Sequence, residues 1–179
     1  MGMTTNNNCL NYKLHEFLGD EQERQKLEGL YCEFFNRSQP LDFRFKTFSD
    51  KQNKYKQHFE YLINQTKILF VSKEERVLGF ICFDIEQKTL EIPDAAKSFL
   101  SSANVCEFVF AASRDFHKEP VAKAGLDMFL LIKEKYNVKY IAGNVRRKRK
   151  KQQFIRACKT FFHFQFIGDF AYYEIPQSV

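Results

Sequence analysis

The spacing of apolar residues changes period along this chain, and each change marks a change of element. Tyr12 to Phe17 reads as a first strand after a polar leader. Leu27, Leu30, Tyr31, Phe34 and Phe35 then fall at i, i+3, i+4, i+7 and i+8, one face of a helix. Asp20 with Glu23 three residues later has the form of a capping box at its start. Gln39-Pro40 ends the pattern, because the residue before a proline is pushed out of helical geometry. After a loop holding Phe43, Phe45 and Phe48, a second helix is expected with Ser49 or Asp50 as its cap, and Tyr55, His58, Phe59, Leu62 and Ile63 repeat the same spacing. His58, inside that stripe, reads as a hydrogen-bonded, partly buried histidine.

Short apolar runs follow. Lys67 to Val71 and Val77 to Ile85, joined by the charged turn Lys73 to Arg76, predict an antiparallel hairpin. Gly79 within it marks a bulge or a close backbone approach. Residues 86 to 104 are irregular, with a strand fragment at Leu90 to Ile92, a stop at Pro93 and a short helix before Asn104. A strand from Val105 to Ala112 leads into a helix from Glu119 to Tyr136, with Val121, Ala124, Gly125, Met128, Phe129 and Ile132 on one face. A strand from Tyr140 to Val145 comes next, so this strand-helix-strand order implies a crossover and a parallel pair. A last helix carries Phe154, Ala157, Cys158, Phe161 and Phe162, and strands Phe164 to Ile167 and Phe170 to Ile175 turn about Gly168-Asp169.

Composition narrows the class. At 179 residues and 44% hydrophobic, the chain fits one globular domain over residues 12 to 179, with residues 1 to 11 as a disordered leader. Twenty-one phenylalanines and no tryptophan point to an aromatic core. Cys9, Cys32, Cys82, Cys106 and Cys158 form no metal-ligand spacing, so they read as reduced thiols of a cytoplasmic protein without a metal. The polar start lacks the basic and apolar regions of a signal peptide, and no apolar run approaches the ~20 residues of a membrane span.

The order of elements, with these turn positions, resembles the GNAT superfamily of N-acetyltransferases from about residue 12 to residue 176. The resemblance implies an α/β (α+β) fold with a central mixed, mostly antiparallel sheet flanked by helices. It also implies acetyl-CoA, or another acyl-CoA, as co-substrate and an amine as acceptor. The family's acyl-CoA loop, Gln/Arg-x-x-Gly-x-Gly/Ala, falls on His117, Lys118, Glu119, Pro120, Val121 and Ala122. Ala122 matches the pattern; His117 stands where Arg or Gln is usual, and Pro120 replaces the middle glycine and removes one backbone N–H. By the same resemblance the backbone of Phe110, Ala111 and Ala112 pairs with the pantetheine arm, and Asn144 corresponds to the family's asparagine after the next strand. The family's Gly-Phe turn after the last helix falls at His163-Phe164.

Acetyl transfer needs a base for the amine, a stabilised oxyanion and a proton for the leaving thiolate. Glu107 lies where the histone-acetyltransferase branch carries its general base; the other reading is a carboxylate turned to solvent or met by a Lys or Arg. The family's acidic tyrosine on the last helix has no counterpart here, which leaves Tyr172 and above all Tyr173 on the final strand as substitutes.

Charge adds a second reading. Arg146, Arg147, Lys148, Arg149, Lys150 and Lys151 account for much of the formal +6 excess. They stand where the last helix begins, at the positive end of its dipole, a placement costing ~0.3 kcal/mol or more per charge. An anion there would offset the cost: a coenzyme A phosphate or, in a different class of function, nucleic-acid backbone. Without interleaved aromatics such binding would be nonspecific, and a solvated basic helix end needs no ligand at all. The alternative to an enzyme is therefore a GNAT-fold binding module for an anionic partner.

Overall fold

The computed structural model describes residues 6–7, 12–37, 53–100, 104–114, 119–145 and 151–177. Its elements are β1 (Asn6–Asn7), β2 (Tyr12–Glu16), α1 (Glu21–Asn36), α2 (Asn53–Gln65), β3 (Lys67–Lys73), β4 (Arg76–Asp84), α3 (Asp94–Leu100), β5 (Val105–Ser113), α4 (Glu119–Tyr136), β6 (Tyr140–Asn144), α5 (Lys151–Phe162), β7 (Gln165–Ile167) and β8 (Phe170–Glu174). The strands form an eight-stranded mixed, mostly antiparallel sheet in the order β1-β2-β3-β4-β5-β6-β8-β7, flanked by the helices. This is the α/β (α+β) architecture that the resemblance implies. The caps Ser49 and Asp50 and the loop holding Phe43, Phe45 and Phe48 lie outside the described residues. Asn6 and Asn7 pair with Lys13 and Tyr12 as a short strand, within the stretch expected to be a disordered leader.

The chain groups into two compact units, Met1–Cys82 with Phe110–Phe116 and Phe83–Val109 with His117–Val179. In the first, Asp20 is the N-cap of α1, its Oδ1 accepting the Glu23 N–H at 2.9 Å and satisfying a donor the helix cannot use internally. Leu27, Leu30 and Tyr31 of α1 and Phe59 and Leu62 of α2 are buried, as their spacing predicts. Their aromatic members meet at Phe110 of β5, whose ring lies 5.7 Å from Tyr31, 5.7 Å from Phe34, 5.5 Å from His58 and 5.8 Å from Phe80. His58 Nδ1 is 2.7 Å from the Tyr31 hydroxyl, the hydrogen bond expected of it. A Cβ on Gly79 would stand 3.1 Å from Ser113 Cβ and 3.3 Å from the Ala112 carbonyl, the close approach its place in the strand suggests.

Two histidines of this unit make its stability sensitive to acid. His58 is exposed over much of its surface, not partly buried as its spacing suggests, and loss of hydration on the side of the ring packed against Tyr31 and Phe110 holds it below the ordinary value of 6.5. Burial, then the charges of Lys13 and Lys26, does the same to His15, which hydrogen-bonds Ser72 at 2.8 Å. The unfolded chain therefore takes up these protons first, so the stability tied to the neutral rings is present above 6.5 and is lost as pH falls through the lower folded values. Urea midpoints measured from neutral pH downward should fall through this window, and a His15→Gln/His58→Gln double variant should show a shallower fall. An identical slope in the two proteins would exclude the histidines as its cause.

In the second unit β5 and β6 run parallel with Val105 opposite Tyr140, Cys106 opposite Ile141 and Glu107 opposite Ala142. β8 pairs antiparallel with β6 and with β7. One face of these strands, with Val105, Tyr140, Ala142 and Phe170, packs on Ala96 and Leu100 of α3. The other face carries Phe108 and Tyr173, whose rings meet Phe129 of α4 and Phe164. α5 ends at Phe162, and His163 adopts φ +57, the left-handed conformation that a glycine takes there at no steric cost.

One expected element is absent among the described residues. Leu90 to Ile92 is not a strand. Leu90 and Ile92 pack on the α3 core, but the backbone of Thr89 and Glu91 hydrogen-bonds to side chains and not to a neighbouring strand.

Candidate active site

Glu107 sits in β5 with only 4% of its surface exposed, a carboxylate buried in an apolar sheet. Such a group is costly unless its oxygens are hydrogen-bonded. Both are: Oε2 accepts the backbone N–H of Thr89 at 3.1 Å, and Oε1 accepts the Thr89 hydroxyl in a short contact. The carboxylate is turned away from solvent, and among the described residues no Lys or Arg pairs with it.

Thr89 belongs to the segment between β4 and α3, which side chains tie down at several points. Asp84, at the end of β4 and buried, accepts N–H bonds from Glu86 at 2.9 Å and Lys88 at 3.3 Å. Gln87, at φ +56, donates from Nε2 to the Val105 carbonyl at 2.8 Å. Asn144, at the end of β6, accepts the Glu91 N–H at 2.8 Å and donates to the Glu91 carbonyl at 2.9 Å. Its amide thus holds both backbone polar groups of one residue, Glu91.

Strand register decides which candidates share a face. Side chains alternate along a strand while directly paired residues point the same way. Glu107 pairs with Ala142, which pairs with Tyr172; Cys106 pairs with Ile141, which pairs with Tyr173. Glu107 and Tyr172 therefore lie on the α3 face and Tyr173 on the opposite one, among Phe129 and Phe164. Burial pushes the Tyr173 hydroxyl up, and burial followed by the charges of Asp84 and Glu107 pushes the Cys106 thiol up. The structure does not bring Tyr173 to Glu107. Tyr172 donates its hydroxyl to Gln165 at 2.7 Å.

Beyond Glu107 the close fit of β5 and β6 depends on a glycine. A Cβ on Gly143 would stand 2.7 Å from the Phe108 carbonyl oxygen, nearer than backbone tolerates.

Of the residues assigned to acyl-CoA, Phe110, Ala111 and Ala112 belong to the first unit, with Ala112 buried. Val121 is half-buried and Ala122 buried in the first turns of α4, which begins at Glu119. His117 and Lys118 lie outside the described residues, as do Arg146, Arg147, Lys148, Arg149 and Lys150. Lys151 pairs with Asp169. Among the described residues no group of His, Cys, Asp or Glu could hold a metal ion, and no helix is long and apolar enough to cross a membrane.

The residue that sequence reasoning missed is Thr89. It carries no periodic signal, because its role depends on a carboxylate far away in the chain. Asp84 left a faint one: an aspartate two residues before the N–H it accepts is an ordinary turn former.

A mixed sheet with one parallel pair joined through a crossover helix, flanked by helices and closed by a terminal hairpin, is the GNAT fold, and this chain has it. No protein-family model matches the chain, and no curated protein does. Among solved structures it is similar to a putative acetyltransferase of the GNAT family from Desulfovibrio desulfuricans, with TM-score 0.53 and 9% identity over 92% of this chain and 99% of that one. It is also similar to yncA, a putative acetyltransferase from Salmonella typhimurium solved with its cofactor acetyl-CoA, with TM-score 0.51 and 9% identity over 92% and 95%. An uncharacterized protein from Bacillus halodurans gives TM-score 0.56 and 10% identity over 97% and 90%.

Proposed function

We propose that this protein is an acyl-CoA-dependent N-acetyltransferase that moves an acetyl group directly from the thioester to an amine, with Glu107 as the general base. The observation that carries the reading is the buried Glu107 carboxylate at the last paired position of the parallel β5–β6 pair, in a GNAT fold. In support, the fold is one that yncA, solved with acetyl-CoA, shares. The amine nitrogen attacks the thioester carbonyl carbon and forms the carbon–nitrogen bond, the proton lost from nitrogen goes to Glu107, and the carbon–sulfur bond breaks as coenzyme A leaves as its thiolate, which takes a proton from water. A carboxylate has about four acceptor sites, of which Thr89 takes two, so capacity remains for that proton. Tyr173, on the opposite face of the sheet, takes no part in this base step.

Binding of the co-substrate tests the proposal without knowledge of the acceptor. A ligand that binds only the folded state, at about 100 times its Kd, stabilises by about 2.7 kcal/mol. For a chain of this size that is a rise in melting temperature of roughly 5 to 10 °C. Acetyl-CoA should produce such a rise and dephospho-coenzyme A a smaller one. No shift at millimolar acetyl-CoA would sink the enzyme reading and leave the fold intact.

A further inference from the structure

We propose that Thr89 is a positioning residue for Glu107: it fixes the plane of the carboxylate from a segment that Asn144 in turn holds in place. The inference rests on the acyltransferase reading for its catalytic consequence, and on geometry alone for the holding contact.

The torsion that turns a glutamate carboxylate is broad and roughly two-fold, so one hydrogen bond leaves the group free to rock about that contact. Two donors from one residue remove that freedom. The Thr89 N–H is directed at Oε2 and its hydroxyl at Oε1, and no other protein hydrogen bond to the carboxylate accompanies them among the described residues. A two-point hold is only as rigid as the backbone that presents it. Glu91, two residues on, is gripped through both its N–H and its carbonyl by Asn144, while Asp84 takes the N–H groups of Glu86 and Lys88. Gln87 anchors the middle of the segment to the Val105 carbonyl, on the same strand as Glu107. Leu90 and Ile92 seat the apolar side of the segment on the α3 core. Held this way, the carboxylate meets a substrate already oriented, and the lone pairs that Thr89 leaves open define the direction from which a proton can arrive.

Valine matches threonine in shape and lacks only the hydroxyl, and serine keeps the hydroxyl while losing a methyl group. Thr89→Val should lower kcat about tenfold with the KM for acetyl-CoA unchanged, and Thr89→Ser should stay within about twofold of the parent. A residue that merely filled space would reverse that order, the serine variant being the worse of the two. Wild-type kcat in Thr89→Val, or a serine variant as impaired as the valine one, overturns the proposal. Amide hydrogen exchange supplies a readout that needs no turnover: Glu107→Ala and Asn144→Ala should each speed exchange at both Thr89 and Glu91 by tenfold or more. If the wild type turns over no amine, the acyltransferase reading fails and the holding contact is judged by exchange, where unchanged rates at Thr89 in Glu107→Ala overturn it.

Discussion

Glu107→Gln is expected to lower acetyl transfer by about 100-fold or more while acetyl-CoA binding stays nearly unchanged. General-base catalysis is typically worth that much. Glutamine has nearly the shape of glutamate, and its one carbonyl oxygen can still accept a bond from Thr89, so the fold around the residue should survive. It cannot take a proton from an amine. Steady-state turnover over a panel of amines, set beside calorimetric titration of acetyl-CoA into the same preparation, separates the two effects. Turnover equal to the parent's would leave Glu107 with one task, that of tethering the segment through Thr89.

The second large effect falls on stability. Gly143→Ala places a Cβ 2.7 Å from the Phe108 carbonyl oxygen, and a backbone atom in a strand cannot swing aside as a side chain can. Overpacking of this kind costs about 1–3 kcal/mol. For a chain of this length each kcal/mol lowers the melting temperature by roughly 2–4 °C. The displaced carbonyl belongs to the residue next to Glu107, so turnover should fall with stability. Gly29→Ala on α1 is the matched control, because among the described residues no atom beyond its own helix backbone and chain neighbours lies within 4 Å of its added Cβ. A gain of about 0.4–1 kcal/mol is expected there from the reduced freedom of the unfolded chain. A melting temperature for Gly143→Ala equal to that of the parent would mean that β5 yields at this point.

What could be read from the sequence divides by the range of the interaction. Helices α1 and α4 announce themselves because each buries a stripe at helical spacing, and Asp20 does as a cap what its position next to Glu23 suggests. The hairpins around Glu74 and Gly168 follow from short-range turn chemistry in the same way. Leu90 to Ile92 misled, since three residues alternating toward a core look alike whether their backbone bonds to a strand or, as here, to the Gln87 carbonyl and the Asn144 side chain. The candidate site was legible as a list and not as an arrangement. Nothing local tells Tyr172 from Tyr173, and only the register through Ala142 and Ile141 shows which of them shares a face with Glu107.

The register of β2 also bears on the order in which the chain can assemble during synthesis. β3 and β4 are joined by two residues and β7 and β8 by two, so each pair can close as soon as it leaves the ribosome. β2 has a local neighbour only in the two-residue β1; along its other edge Lys13 meets Ser72 and Glu16 meets Leu69, and both helices α1 and α2 must be made before that partner exists. Bringing distant segments together carries a loop-closure entropy that local hairpins avoid, and contacts of this kind slow folding. Tyr12 and Leu14, buried once paired, therefore spend the early life of the nascent chain as an apolar strand awaiting its edge, where a chaperone would find them.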